Sequence, residues 1–317
     1  MRTKTTLLAV ALFLITVTGA HPAQATFPGA NGRVAFVAHS FDGDSEPPVV
    51  SSSIDTALPD STDRRTLRGC NVYGGPPELN DCSISYGAPA WSPDGKHVAF
   101  DAGSQLAVMR ADGSGFRLLR RQTMDDSEPA WSPNGRRLVF TGTRQGGGQP
   151  DLYILDLLSE DSRRLTFRGG RMADWSSRDR IAFVRGAVPE RYSRAGDVYV
   201  IRPSGKGLRR ITDAKGASPS WSPHGTKLLF APWRRGHARL YAITLATGAL
   251  RIIRTDGDSP ENPVWSPNGR RIAYNGFESG VWSQTLTGRL VRQIADSQYS
   301  SESGHDSYSP DWQPIPK

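Results

Sequence analysis

The sequence predicts an all-β fold, a six-bladed β-propeller of four-stranded antiparallel blades, on three observations. The pentad Trp-Ser-Pro-x-Gly recurs from Trp91, Trp131, Trp221 and Trp265, with a worn copy at Trp175-Ser176-Ser177-Arg178-Asp179 and a truncated one at Ser309-Pro310-Asp311-Trp312. These tryptophans stand 40, 44, 46, 44 and 47 residues apart, a period that marks a repeat architecture. Each is followed by the same series of short apolar runs and turns, and the two ends of the chain carry complementary fragments of one further unit.

Within a unit the Trp run comes first. Pro then presets φ for a turn, and Gly takes the left-handed position after it. A second run ends on an aromatic: Val98-Ala99-Phe100, Leu138-Val139-Phe140, Ile181-Ala182-Phe183, Leu228-Leu229-Phe230 and Ile272-Ala273-Tyr274. Past a variable loop comes a third run, such as Leu152-Tyr153-Ile154-Leu155, then a turn such as Ala111-Asp112-Gly113-Ser114-Gly115. The last run carries paired arginines, as in Arg163-Arg164 and Arg209-Arg210, which suits an exposed sheet edge. Four such runs per unit form a four-stranded blade, with Trp and Phe as blade-to-blade packing. Gly32-Arg33-Val34-Ala35-Phe36 is a second strand with no Trp strand before it, and Tyr308 to Trp312 is a first strand with nothing after it. Joined, they complete the sixth blade, one C-terminal strand added to three N-terminal ones.

The run Trp-Ser-Pro-Asp-Gly-Lys-x-hydrophobic-Ala-Phe, followed by hydrophobic-Tyr-hydrophobic and by Ala-Asp-Gly-Ser-Gly-x-Arg-Leu, resembles the TolB-type β-propeller repeat. The likeness runs over about residues 27–317 and departs at Ser177-Arg178-Asp179 and in a long insertion at 70–86. The resemblance implies protein–protein interaction at the cell envelope. Such repeats also form the non-catalytic propeller of prolyl-oligopeptidase-type enzymes, and no peptidase domain accompanies them here.

Residues 1–25 read as a secretory leader: Arg2 and Lys4, an apolar run from Leu7 to Thr18, then Ala23-Gln24-Ala25 as a small-x-small cleavage pattern before Thr26. Residues 26–317 form the single propeller domain, extracytoplasmic and without a membrane span after cleavage. Loss of Arg2 and Lys4 lowers the formal charge from +8 to +6. Export makes nucleic acid a poor partner for this charge, and an acidic protein face or an anionic envelope polymer a better one. Cys70 and Cys82 are expected to form a disulfide, as a close pair does in an exported chain.

Function is expected on the loops. The second-to-third strand loops and the inter-blade connections are long and variable and share one rim, while the repeated turns share the other. The loop-rim candidates for holding a protein, peptide or envelope glycan are Arg144, Arg171, Arg185, Arg191, Trp233, Arg234, Arg235, Asp126, Glu128, Asp258, His305 and Asp306. Residues one and three before each Trp share a strand face, so Glu128, Met172, Ser218 and Asn262 are candidates to line the axial channel. No Gly-x-Ser-x-Gly elbow and no His-Glu-x-x-His pair is present, and neither a cofactor nor a metal is expected. The leading expectation is a secreted, monomeric, non-catalytic binding scaffold. The alternative is a propeller lyase, lactonase or hydrolase with His39, His237 and His305 and Asp126, Asp258 and Asp306 at the channel mouth.

Overall fold

The computed structural model describes residues 26–42, 49–73, 85–120, 122–123, 125–144, 148–186, 196–212, 216–232, 238–255, 259–276, 280–295 and 303–316, with backbone alone at 40–42, 49–50, 70–73 and 303–308. The first blade holds Ala30–Asp42 (β1), Val49–Ala57 (β2) and Arg65–Tyr73 (β3). The second is Tyr86–Trp91 (β4), His97–Ala102 (β5), Gln105–Arg110 (β6) and Arg117–Leu118 (β7). The third is Asp125–Trp131 (β8), Arg137–Thr143 (β9), Asp151–Asp156 (β10) and Ser162–Arg164 (β11). Arg171–Trp175 (β12), Ile181–Arg185 (β13), Asp197–Ile201 (β14) and Arg209–Arg210 (β15) make the fourth. Gly216–Trp221 (β16), Lys227–Pro232 (β17), Arg239–Thr244 (β18) and Leu250–Arg254 (β19) make the fifth. The sixth is Glu261–Trp265 (β20), Arg271–Gly276 (β21), Gly280–Thr285 (β22) and Arg292–Ala295 (β23). Ser303–Ile315 (β24) returns to the first sheet, whose order is β24-β1-β2-β3.

The ring is therefore six four-stranded antiparallel sheets, closed by one C-terminal strand on three N-terminal ones. The inner strands β24, β4, β8, β12, β16 and β20 touch in turn around the axis, which sets the first blade opposite the fourth. β24 pairs with β1 from Ala30↔Ile315 to Asp42↔Ser303. Trp312 Nε1 donates to Gly32 O at 3.2 Å, and Gln313 Nε2 donates to Gly95 O of the second blade at 2.8 Å. A Cβ on Gly95, whose φ is 68°, would stand 2.2 Å from Pro314 O, so the closing strand and the turn chemistry both demand glycine here.

Burial falls from the axis outward. Every residue of β4 is buried, whereas both residues of β15 are exposed, because inner strands are covered by two neighbouring blades. The core lies between blades: Trp221 with Ala182 and Val198, Trp265 with Leu229 and Leu240, Trp312 with Val264 and Ala273. The aromatics of the second and third runs sit directly opposite in register and stack, Phe140 on Tyr153 at 5.5 Å and Phe230 on Tyr241 at 5.7 Å. Ser92 Oγ accepts His97 N at 2.9 Å across the pentad turn, and Ser132, Ser222 and Ser266 repeat the contact. In the worn copy the turn is one residue shorter, and Asp179 takes the left-handed position at φ 55°.

His305 and Asp306 are not loop residues. They lie in β24, where His305 opposes Ser40 and Asp306 opposes His39 of β1, with β2 and β3 paired alongside over the same stretch. Cys70 likewise lies in β3, opposite Ser52, while Cys82 and most of the 70–86 insertion fall outside the described residues.

Candidate functional site

One set of buried polar groups gathers on the inner strands, and a backbone irregularity places it there. Ala88, Glu128, Met172, Ser218, Asn262 and Ser309, each three residues before its tryptophan, all have positive φ, between 42° and 59°. In five blades a register shift accompanies the residue, as between Gly87 and Ala90 and between Ser127 and Ala130. The first blade shifts between Ala35 and Val37, where β1 meets β24. A bulge there releases the backbone N–H from its own ladder, and the preceding blade supplies an acceptor. Glu128 N donates to Asp101 Oδ1 at 2.7 Å, Met172 N to Glu128 Oε2 at 2.8 Å and Ser309 N to Asn275 Oδ1 at 3.0 Å. Thr141 Oγ1 donates to the same Glu128 oxygen at 2.6 Å. Ser218 Oγ donates to Asn262 Oδ1 at 2.8 Å, joining the fifth blade to the sixth.

One step before the tryptophans a second set operates. Ser92 N donates to His97 O and Ser222 N to Lys227 O. By antiparallel alternation the N–H groups of Trp91 and Trp221 then face away from their own sheets, toward the axis. Asp311 Oδ2 accepts Trp91 N at 2.6 Å, and Asp174 Oδ2 accepts Trp221 N. These two carboxyl groups belong to the first and fourth blades and so face each other across the ring. The second oxygen of each is buried without a partner, as are Ser220 Oγ, Asn262 Nδ2 and Ser309 Oγ. Burial pushes the Asp174 carboxyl up to about 8, against the pull of the Trp221 and Trp175 N–H groups. Burial raises Asp311 well above the ordinary carboxylate range, and the nearby charge of Asp174 adds to the rise.

Of the residues singled out from the sequence, Glu128, Met172, Ser218 and Asn262 are brought together in this one buried ring. Asp126 is also buried, and its oxygens accept Gln122 N at 2.6 Å and Thr123 N at 2.8 Å, which fixes the approach to β8. Arg171 and Arg185 are neighbours at the loop-rim ends of β12 and β13. Arg171 Nη2 donates to Gly186 O at 3.2 Å, and Arg185 donates to Gly169 O at 3.1 Å with its guanidinium over Tyr199. Arg144 is exposed beyond β9. Arg191, Trp233, Arg234, Arg235, His237 and Asp258 lie outside the described residues, and His305 and Asp306 are described by backbone alone. Among the described residues no three His, Cys, Asp or Glu side chains are grouped so as to hold a metal ion, and no helix is long and apolar enough to cross a membrane.

Asp101, Thr141 and Asn275 are ring members that the sequence reading passed over. Each directly follows the aromatic of its second strand, ten residues after the tryptophan. A polar side chain at that place, next to an otherwise apolar run, is the signal.

A model of the TolB beta propeller domain matches residues 78–191 and 184–315. A TolB homolog of Chlorobium luteolum is 40% identical over 57 residues, 17% of this chain and 13% of that protein. The Tol-Pal system protein TolB of Francisella tularensis subsp. mediasiatica is 25% identical over 124 residues, 36% of this chain and 28% of that protein. The chain thus matches less than a third of the length of these relatives. Among solved structures, TolB from Acinetobacter baumannii aligns with a TM-score of 0.65 at 17% identity, over 89% of this chain and 67% of that one. An oligogalacturonate lyase in complex with manganese aligns with a TM-score of 0.53 at 11% identity, over 88% of this chain and 86% of that one, a likeness of fold alone. With four-stranded blades, a Trp-Ser-Pro-x-Gly turn in most of them and a family model covering most of its length, the chain belongs to the TolB β-propeller family.

Proposed function

We propose that the chain is an exported, non-catalytic binding scaffold of the cell envelope that holds a protein partner with its loop rim. The observation that carries this reading is the division of labour between axis and rim. Glu128, Asp174, Asp311, Asp101 and Asn275 each give an oxygen to a blade-to-blade bond, so these residues of the axis serve the ring. The non-repeating length of the chain gathers at the opposite end from the short repeated turns, which is where a rigid scaffold presents binding residues. The relatives named as Tol-Pal system proteins support an envelope setting. Thr26 supports cleavage before it, since its hydroxyl is buried and donates to Trp265 O at 3.0 Å as part of the ring.

Site-specific photo-cross-linking in the native host tests the rim assignment. A photoreactive residue at Arg144, on the loop rim, is expected to give a protein adduct, and one at Arg270, in an exposed pentad turn, none. Adducts from Arg270 alone contradict the reading. N-terminal sequencing of the envelope fraction is expected to begin at Thr26, and a retained leader contradicts export by cleavage.

A further inference from the structure

The turn rim carries a feature separate from both the axis and the loop rim. Between the third and fourth blades lies an open depression of about 570 Å³ lined by Arg137, Arg163, Arg178, Arg180 and Arg202, with Ser204 beside them. The five arginines come from four places in the chain: the start of β9, β11, the turn after Trp175, and the turn between β14 and β15. Several are held in place. Arg137 lies over the Trp175 indole at 5.5 Å from its centroid, and Arg163 Nη2 donates to Pro203 O. The stem of Arg178 crosses Gly225, where a Cβ would come within 3.0 Å of its Cγ.

Among the described residues the charges in this depression are not balanced. Asp179 is the one carboxylate of the described lining, and its Oδ1 already accepts Trp175 Nε1 at 2.9 Å. Among the described residues none of the five guanidinium groups makes an ion pair. Elsewhere on the same molecule arginines do find acids, Arg33 with Asp63, Arg117 with Glu160, Arg164 with Asp151 and Arg210 with Asp197. Gathering like charges without counter-charges opposes the compact state, and protection of the exposed edge strand β11 accounts for Arg163 alone among the five.

We propose that this depression binds a phosphate-bearing polyanion, with the five arginines as its ligands. The planar guanidinium fork matches oxyanions through paired N–H donors. A carboxylate offers its acceptors in one plane. A tetrahedral oxyanion offers them in three dimensions and so engages donors that converge from four chain segments. The volume lies in the range of small-molecule sites rather than of a single bound ion, which calls for several linked phosphates. The site stands apart from the loop rim, so it holds whether or not the partner reading above does.

Titration of the full chain with inorganic tripolyphosphate, followed by calorimetry, tests the proposal. Saturable binding is expected, with Arg178→Ala, Arg180→Ala and Arg202→Ala each weakening it about tenfold. These side chains are exposed and their removal relieves like-charge repulsion, so the melting temperature of each variant does not fall below the wild-type value. Arg209→Ala, exposed on β15 outside the lining, is expected to leave the affinity unchanged. Three outcomes overturn the proposal: no saturable binding, an equal loss with Arg209→Ala, which signals diffuse surface charge, or tighter binding of polyglutamate than of tripolyphosphate, which assigns the depression to acidic peptide.

Discussion

At Asp174 and Asp311 burial costs the ionised carboxyl more than two backbone donors return, so both acids are held above the ordinary carboxylate range, Asp174 at about 8. An acid whose folded pKa exceeds its unfolded value binds its proton further up the pH scale in the fold. Its contribution to stability is complete below the unfolded value of 3.8 and is lost as pH rises toward about 8. Asp174→Asn keeps an acceptor for Trp221 N–H and removes the ionisation. Thermal melts from about pH 5 to about pH 9 are expected to show a flatter decline for this variant than for the wild type. Parallel declines would mean that Asp174 is ionised in the folded protein. Asp174→Ala strands the Trp221 N–H instead, and chemical denaturation is expected to show a loss of about 1–3 kcal/mol.

The inner strand is the element in which sequence and structure part most clearly. Strand order, turn type and aromatic register all follow from the Trp-Ser-Pro-x-Gly pentad and the alternating runs behind it. The bulge does not. Ala88, Glu128, Met172, Ser218, Asn262 and Ser309 are five residue types between them, and of these only Asn tolerates positive φ with ease. What holds the bulge is the neighbouring blade, through acceptors such as Asp101 and Asn275 that are remote in sequence. A tertiary contact thus decides a local conformation. Ala88→Gly is accordingly expected to be neutral or stabilising within about 1 kcal/mol, because glycine relieves the left-handed backbone. Ala130→Gly, at an ordinary strand position, is expected to lose about 1 kcal/mol or more. Equal losses at the two sites in urea titrations would remove the bulge from the account. That the non-repeating segments gather on one rim was legible from the repeat; which of their residues meet a partner is not written in it, because a partner's surface and not the repeat sets that choice. Glu128, read from the sequence both as a rim and as a channel residue, is bound inside the ring, a place that alternation alone does not distinguish from the ring's mouth, whereas Asp126 stays at the rim end of β8, tied to Gln122 N and Thr123 N.

At the scale of the whole molecule, everything rests on closure. The closing strand β24 carries Asp311, one of the two buried carboxyl groups that stand on opposite blades of the ring. The orphan Trp312 and the Trp-less Gly32–Phe36 run made closure legible from the sequence, and the pairing of β24 with β1 carries it out. Trp312 is wholly buried between the first and sixth blades. Trp312→Ala is therefore expected to cost about 3–5 kcal/mol, in line with emptying a large aromatic site. The most direct measurement is thermal unfolding of the chain truncated before residue 306, with and without a peptide spanning the missing strand. A closed ring predicts a loss of about 5 kcal/mol or more, together with a depressed melting temperature that the added peptide partly restores. Wild-type melting of the truncated chain, with no response to the peptide, would contradict closure and with it the scaffold built upon it.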